Sequence, residues 1–319
     1  VLKPFKQSFG FQEKHAVAPL HRNQVRLLQQ AYVFILTYCV FKLSFQFLKR
    51  FYSLFSQEAS MGPKNLEHLK AWFETYVAGF YSDDPMHNST IRLKEKHTEQ
   101  VCRNMILLGN ALDLSDQDVI LAETMGLFHD IGRFKQYAVY GTFKDAESEN
   151  HALLGLRELA AHDVLAGCTK DEKKCITKAI AYHNALEIPA GENGKTLLFI
   201  RLLRDADKLD IWRVFIEYYK TRDKQPNSVV EIGLPDDPSF SPKVVAALNK
   251  DRFVRIQDLR TSNDFKLLLI SWVFDLNFDY SFQLVKDRNY IEKIEATLPP
   301  SKRISAAIKH AYDYMARHI

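Results

Sequence analysis

The sequence has no CxxC pair, no internal repeat, no low-complexity run and little of the apolar–polar alternation that marks a half-buried strand. Its four cysteines, Cys39, Cys102, Cys168 and Cys175, are scattered along 319 residues. That spacing speaks for buried thiols in a reducing, cytoplasmic compartment. The lack of a repeat excludes a solenoid. The scarcity of strand signals leaves one short candidate, "VVEIG" at 229–233. A basic surface is missing as well. The formal charge is +4, but eight Lys and Arg stand against Glu13 and Glu58 in the first sixty residues, leaving 35 of the 43 basic and 37 of the 39 acidic residues to the rest. A body so balanced carries no electrostatic footprint for nucleic acid.

Residues 1–60 form a segment of their own, rich in aromatics and poor in acids. "AYVFILTYCVF" (31–41) is apolar, Lys42 interrupts it, and "LSFQFL" follows before the basic "KRF". This is a marginal membrane span with a flank suited to anionic lipid. "SQEAS" is a poor signal-peptide cleavage site. Met61 then opens "MGPKNLEHLKAWFETYVAGF", the start of an amphipathic helix. Three readings of 1–60 stay open: a non-native or dispensable extension, a membrane anchor through 31–50, and a packed helix.

From Met61 onward a 3.6-residue period dominates. It predicts helices near 64–80, 90–112, 116–131, 150–165, 171–186, 196–220, 242–250, 264–286 and 301–317. Loops are marked by "SDDP", "IPAGENGK", "LPDDPSFSP" and "LPPS". The expected organisation is a helical core over 61–225 and a C-terminal helical cap over 226–319. The apolar "DFKLLLISWVFDLNFDYSFQLV" of the cap would be buried over a pocket or in a homodimer face.

Several polar residues fall on apolar stripes. His97 is in step with Val101, Met105, Leu108 and Leu112; His183 follows Ile176 and Ile180; Asp207 lies in line with Ile200, Leu203, Ile211 and Val214. A carboxylate or imidazole there is costly unless paired or bound to a cation. In "LFHDIGRF", His129 and Asp130 point about 100° apart on a continuous helix. Both reach one ion if the helix ends there, and Gly132 is placed to supply that ending. His151 opens the next helix, and Gly155 after it would allow a close approach.

Taken singly, a buried histidine is normally a hydrogen-bonded core residue. Asp207 alone reads as a partner of Arg201 or Lys208, and Asp205 and Asp210 beside it read as structural or supporting groups. The pair His162–Asp163 shows that the dipeptide itself is cheap. The signal is the ordered set His97, His129, Asp130, His151, His183 and Asp207. Nitrogen and oxygen donors without thiolate suit manganese, iron, zinc or magnesium. Six donors with a shared carboxylate would hold two ions, able to activate water and grip a phosphoryl oxygen.

"KHTEQVCRNM", "LFHDIGRF" and "LLRDADKLD" together resemble the HD-domain metal-dependent phosphohydrolases, over roughly residues 90–215. "RFKQYAVYGTFKD" resembles a bacterial subgroup of that family. The resemblance implies an all-α HD-domain helical bundle, with the metal between helices and additional C-terminal helices. It implies that His97, His129, Asp130 and Asp207 bind a divalent ion (Mn, Fe, Zn, Ni, Co or Mg). "ENHALLGLREL" and "AIAYHNALEIP" resemble segments of members that bind two metals, which gives His151 and His183 to a second ion or to phosphate. The implied reaction is hydrolysis of a small nucleotide-like or other phosphorylated metabolite. Asp130 would orient the water, while Arg133 and Lys208 contact phosphate. Tyr137, Tyr140 and Lys144 would rim the pocket. No "GYP" follows His183, so the chain departs from the cyclic-dinucleotide branch. Two rivals are a di-iron oxygenase resembling inositol oxygenase, with the same six donors, and a non-catalytic nucleotide sensor.

Overall fold

The computed structural model describes residues 61–192, 194–222, 230 and 232–319. The three readings of residues 1–60, and Cys39 among them, lie outside the described residues. So do Val229 and Glu231 of "VVEIG" and the expected core–cap boundary. Val230, Ile232 and Gly233 stand in turns, and no strand occurs among the described residues. Residues 58–319 form one compact unit. No helix among the described residues is long and apolar enough to cross a membrane.

Helix starts follow local chemistry. Proline opens α1 (Pro63–Ala78) and α2 (Pro85–Ala111), where its missing N–H is no loss. Asp84, Ser115 and Asn150 accept from the first free amides of α2, α3 (Asp116–Phe128) and α5 (His151–Ala161). Thr169 and Glu172 make a reciprocal cap on α6 (Lys170–Tyr182). α4 (Ile131–Tyr140) ends on Gly141 at φ 65°, and α7 (Gly194–Tyr219) is the central helix. α2 packs on α3 and α7, α4 on α5, and α6 on α7.

The C-terminal helices are α8 (Pro242–Leu248), α9 (Ser262–Ser271), α10 (Asp279–Asp287), α11 (Tyr290–Glu295) and α12 (Lys302–Met315). They are pinned to α7 by polar bonds as well as packing. The Trp212 indole donates to Leu269 O at 2.9 Å. The fully buried Asp205 accepts from the Asn277 and Phe278 amides and from the Asn277 and Ser281 side chains. Burial raises its pKa, so those donors offset a real cost.

Three expectations need correction. The helix predicted over 116–131 stops at Phe128; Asp130, at φ −109° and ψ 14°, breaks it and starts α4. Gly132 is therefore not the ending but sits inside α4. A Cβ there would stand 2.2 Å from His151 O and 2.5 Å from Gly155 N, so the glycine is needed for α4 and α5 to touch backbone to backbone. The helix predicted over 264–286 is two helices, α9 and α10, separated by a 3₁₀ turn over Trp272–Asp275 and an extended stretch. Its apolar composition masked the break. Cys102, Cys168 and Cys175 are free and buried.

Candidate metal centre

Five helical segments deliver the six donors. α2 supplies His97, the α3–α4 break His129 and Asp130, the start of α5 His151, the end of α6 His183, and α7 Asp207. The break lets two sequence neighbours face one point. The side chains of His97, His129, Asp130, His151 and His183 are all buried, and Asp207 is nearly so at 17% exposure.

The donors form two groups, His97–His129–Asp207 and Asp130–His151–His183, each with its ligand atoms within 4.8 Å of one another. Asp130 joins them. Its Oδ2 lies 3.6 Å from His97 Nε2 and 3.7 Å from His129 Nε2. Its Oδ1 lies 3.3 Å from His151 Nε2 and 3.8 Å from His183 Nε2. Asp207 Oδ1 closes the first group at 3.1 Å from His97 Nε2 and 3.7 Å from His129 Nε2.

Each imidazole is committed at Nδ1. His97 bonds Asp210 at 2.7 Å, His129 the Gly126 carbonyl at 2.8 Å, His151 the Asp145 carboxylate at 2.8 Å and His183 the Ile180 carbonyl at 2.7 Å. Acceptors at Nδ1 hold the proton there and leave the Nε2 lone pairs aimed inward. Yet His97 and His129 face Nε2 to Nε2 at 3.2 Å, and His151 and His183 at 3.1 Å. Lone pairs facing at that distance repel unless a proton or a cation relieves them. Nitrogen and carboxylate donors so arranged fit divalent cations.

The electrostatics agree. Burial, with His151 and His129 beside it, pushes His183 down to about 3. Burial also lowers His129 and His151. Burial and Lys94 pull His97 down, but its bonds to Asp207 and Asp210 outweigh them and lift it to about 9. A proton on His97 thus does in part what a metal would do. Burial works against the Asp130 carboxylate, yet Lys94, His129 and Arg133 hold its pKa well below the usual range.

Lys94 was not singled out by sequence reasoning. Its Nζ contacts Asp130 Oδ2 at 2.6 Å. It precedes His97 by three residues, one helical turn along the same face, and that spacing was the available signal. Asp145 was also missed. It accepts from His151, Arg133 and Gln136. It lies in a 3₁₀ turn, where no helical period could expose it. Asp210 holds the supporting place expected of it, anchored by Arg213 at 2.6 Å.

A cavity of about 500 Å³ opens onto the cluster, and Arg133 and Lys208 both line it. Neither is an unengaged cation. Arg133 Nη1 donates to Gln136, Asp145 and the Phe143 carbonyl, while its buried Nε, 3.4 Å from Asp130 Oδ1, has no hydrogen-bond partner. Lys208 pairs with Asp275 at 2.8 Å, as does Arg204 at 2.9 Å. Tyr137, Tyr140 and Lys144 do not line the cavity. Tyr137 packs on Phe143, Tyr140 bonds Glu149 and Lys144 pairs with Glu147; Phe143 is the wall residue from this loop. Asp207 makes no ion pair with Arg201 or Lys208 and faces the His97 and His129 imidazoles.

Residues 95–212 match the family model described as HD domain. No curated protein and no solved structure gives a match to the chain.

Proposed function

We propose that the protein hydrolyses a phosphoester of a small phosphorylated metabolite with the help of two bound divalent ions. The observation that carries this reading is Asp130, whose two oxygens face two separate groups of imidazoles from one carboxylate. His97, His129 and Asp207 would hold one ion, His151 and His183 the other, with Asp130 shared between them. Such ions supply a water acidic enough to be hydroxide near neutral pH, and Lewis acidity toward a phosphoryl oxygen.

The chain's own groups do the rest. Asp210, Asp145 and the Gly126 and Ile180 carbonyls fix ring orientation and engage each Nδ1, so that each Nε2 is the atom turned to the ions. Lys94, Arg133, Arg204 and Lys208 on the cavity wall outnumber the wall carboxylates Asp130, Asp207 and Asp275. With divalent ions added, the field strongly favours an anion. Lys94 and Arg133 flank Asp130 and are the cations nearest the reacting region. Burial of the donors keeps bulk water from competing for them.

The same donors would serve a di-iron oxygenase. The excess of wall cations favours the phosphoester, because an uncharged polyol would gain little from them. Phosphate release from a panel of phosphoesters, with manganese, cobalt or nickel supplied, tests the proposal. Oxygen consumption by iron-loaded protein without phosphate release would replace it by the oxygenase. Nucleotide binding with no turnover of any ester would replace it by a sensor.

A further inference from the structure

The cavity wall is chemically mixed. Lys94, Arg133 and Asn184 lie with the donors, and Arg204, Lys208 and Asp275 form a second, ion-paired group on the wall. Asn184 itself is engaged, next to Asp145 and His151. An apolar part of the wall is made by Ile211, Val214 and Phe215 of α7, together with Phe253, Phe265 and Trp272. Along α7 these residues run four to eight positions past Asp207, about 6 to 12 Å at the helical rise. Phe265 rests on Phe215 with ring centroids 5.7 Å apart, so this wall is packed in place. Among the described residues of this part, only Trp272 carries a polar side-chain atom. The cavity also reaches two exposed apolar side chains, Leu186 at 57% and Ile256 at 69% exposure. Exposed apolar groups on the wall of a partly apolar cavity suit an apolar ligand.

Resting on the hydrolase reading, we propose that the substrate is a phosphate ester of an apolar alcohol, whose hydrocarbon part fills this chamber while the phosphate meets the metal end. A nucleotide is disfavoured. A base and ribose bring several donors and acceptors that this wall would leave unpaired, and unpaired buried polar groups cost affinity. A hydrocarbon chain brings none and gains from every methylene removed from water.

The test uses the full chain loaded with manganese. Alkyl monophosphates from ethyl to octyl are compared with adenosine monophosphate by phosphate release, and the matching alkylphosphonates by calorimetry. The expected result is a rise of about fourfold in affinity per added methylene until the chamber is full, with the nucleotide no better than ethyl phosphate. A flat dependence on chain length, or a nucleotide preferred over octyl phosphate, overturns the assignment. Ile256→Asp and Leu186→Asp change exposed residues and should leave the fold intact. Each is expected to lower the octyl-to-ethyl preference more than tenfold, and a preference unmoved by both overturns the assignment. Chain-length-dependent binding of the phosphonates with no ester hydrolysed would uphold the ligand class while defeating the hydrolase reading.

Discussion

His151 Nε2 lies 3.1 Å from His183 Nε2 while both rings are committed at Nδ1, to Asp145 and to the Ile180 carbonyl. Two basic nitrogens pressed together in a buried site repel unless a positive charge lies between them. The consequence is that the folded state binds a divalent ion far better than the unfolded chain does. At a hundredfold excess over the dissociation constant this adds about 2.7 kcal/mol, or roughly 5 to 10 °C in Tm for a body of this size. Thermal melts with manganese and with a chelator check it; identical melting points would count against the site.

Asp130→Asn keeps the shape of the shared ligand but removes its charge. Because the carboxylate serves both donor groups, the variant should lose both ions rather than one, and phosphoester turnover should fall at least about 100-fold, the scale of a lost metal-centred electrostatic contribution. Metal analysis of the purified variant, beside Asp207→Asn as the single-group comparison, measures this.

Asp210 touches no ion in the proposed arrangement but holds His97 at Nδ1. Asp210→Asn should weaken metal affinity by about 10- to 100-fold, as loss of such supporting partners does, while circular dichroism stays unchanged. A competitive metal titration reads the difference.

Gly132→Ala puts a Cβ 2.2 Å from His151 O and 2.5 Å from Gly155 N, both backbone atoms with no way to swing aside. Overpacking of this kind costs about 1 to 3 kcal/mol. It also pushes α5 away, and His151 with it. Urea unfolding should show the lost stability, and metal titration a weakened Asp130–His151–His183 group.

In metal-free protein, His129, His151 and His183 have depressed pKa values, His183 down to about 3. Below an unfolded value near 6.5, the unfolded chain takes protons that the fold refuses, so the stability these groups contribute is full above that pH and declines as pH falls below it, for His183 down to about 3. The slope is about 1.4 kcal/mol per pH unit for each such histidine. His97, raised to about 9, acts in the opposite window: its contribution is whole below 6.5 and lost as pH rises through 9. Urea unfolding at pH 7 and pH 5 in chelator should show the loss; added manganese should oppose it.

What the sequence determined by itself was whatever repeats at short range or sits in an ordered motif. The 3.6-residue period exposed most helices, because each buries one face. The histidines and aspartates on those faces stood out because burying them uncompensated is expensive. Gly155 read correctly as a point of close approach, and the resemblance carried by three motifs pointed to the HD domain. What only the tertiary structure decided depends on residues meeting from distant positions. Lys94 acquires meaning from Asp130, Asp145 from His151, and Asp275 from Arg204 and Lys208. The helix break that aims His129 and Asp130 together is the sharpest case. It was expected from Gly132, but that glycine is spent on the α4–α5 contact, because only the crossing of two helices, set by packing across the whole bundle, reveals where a missing Cβ is needed.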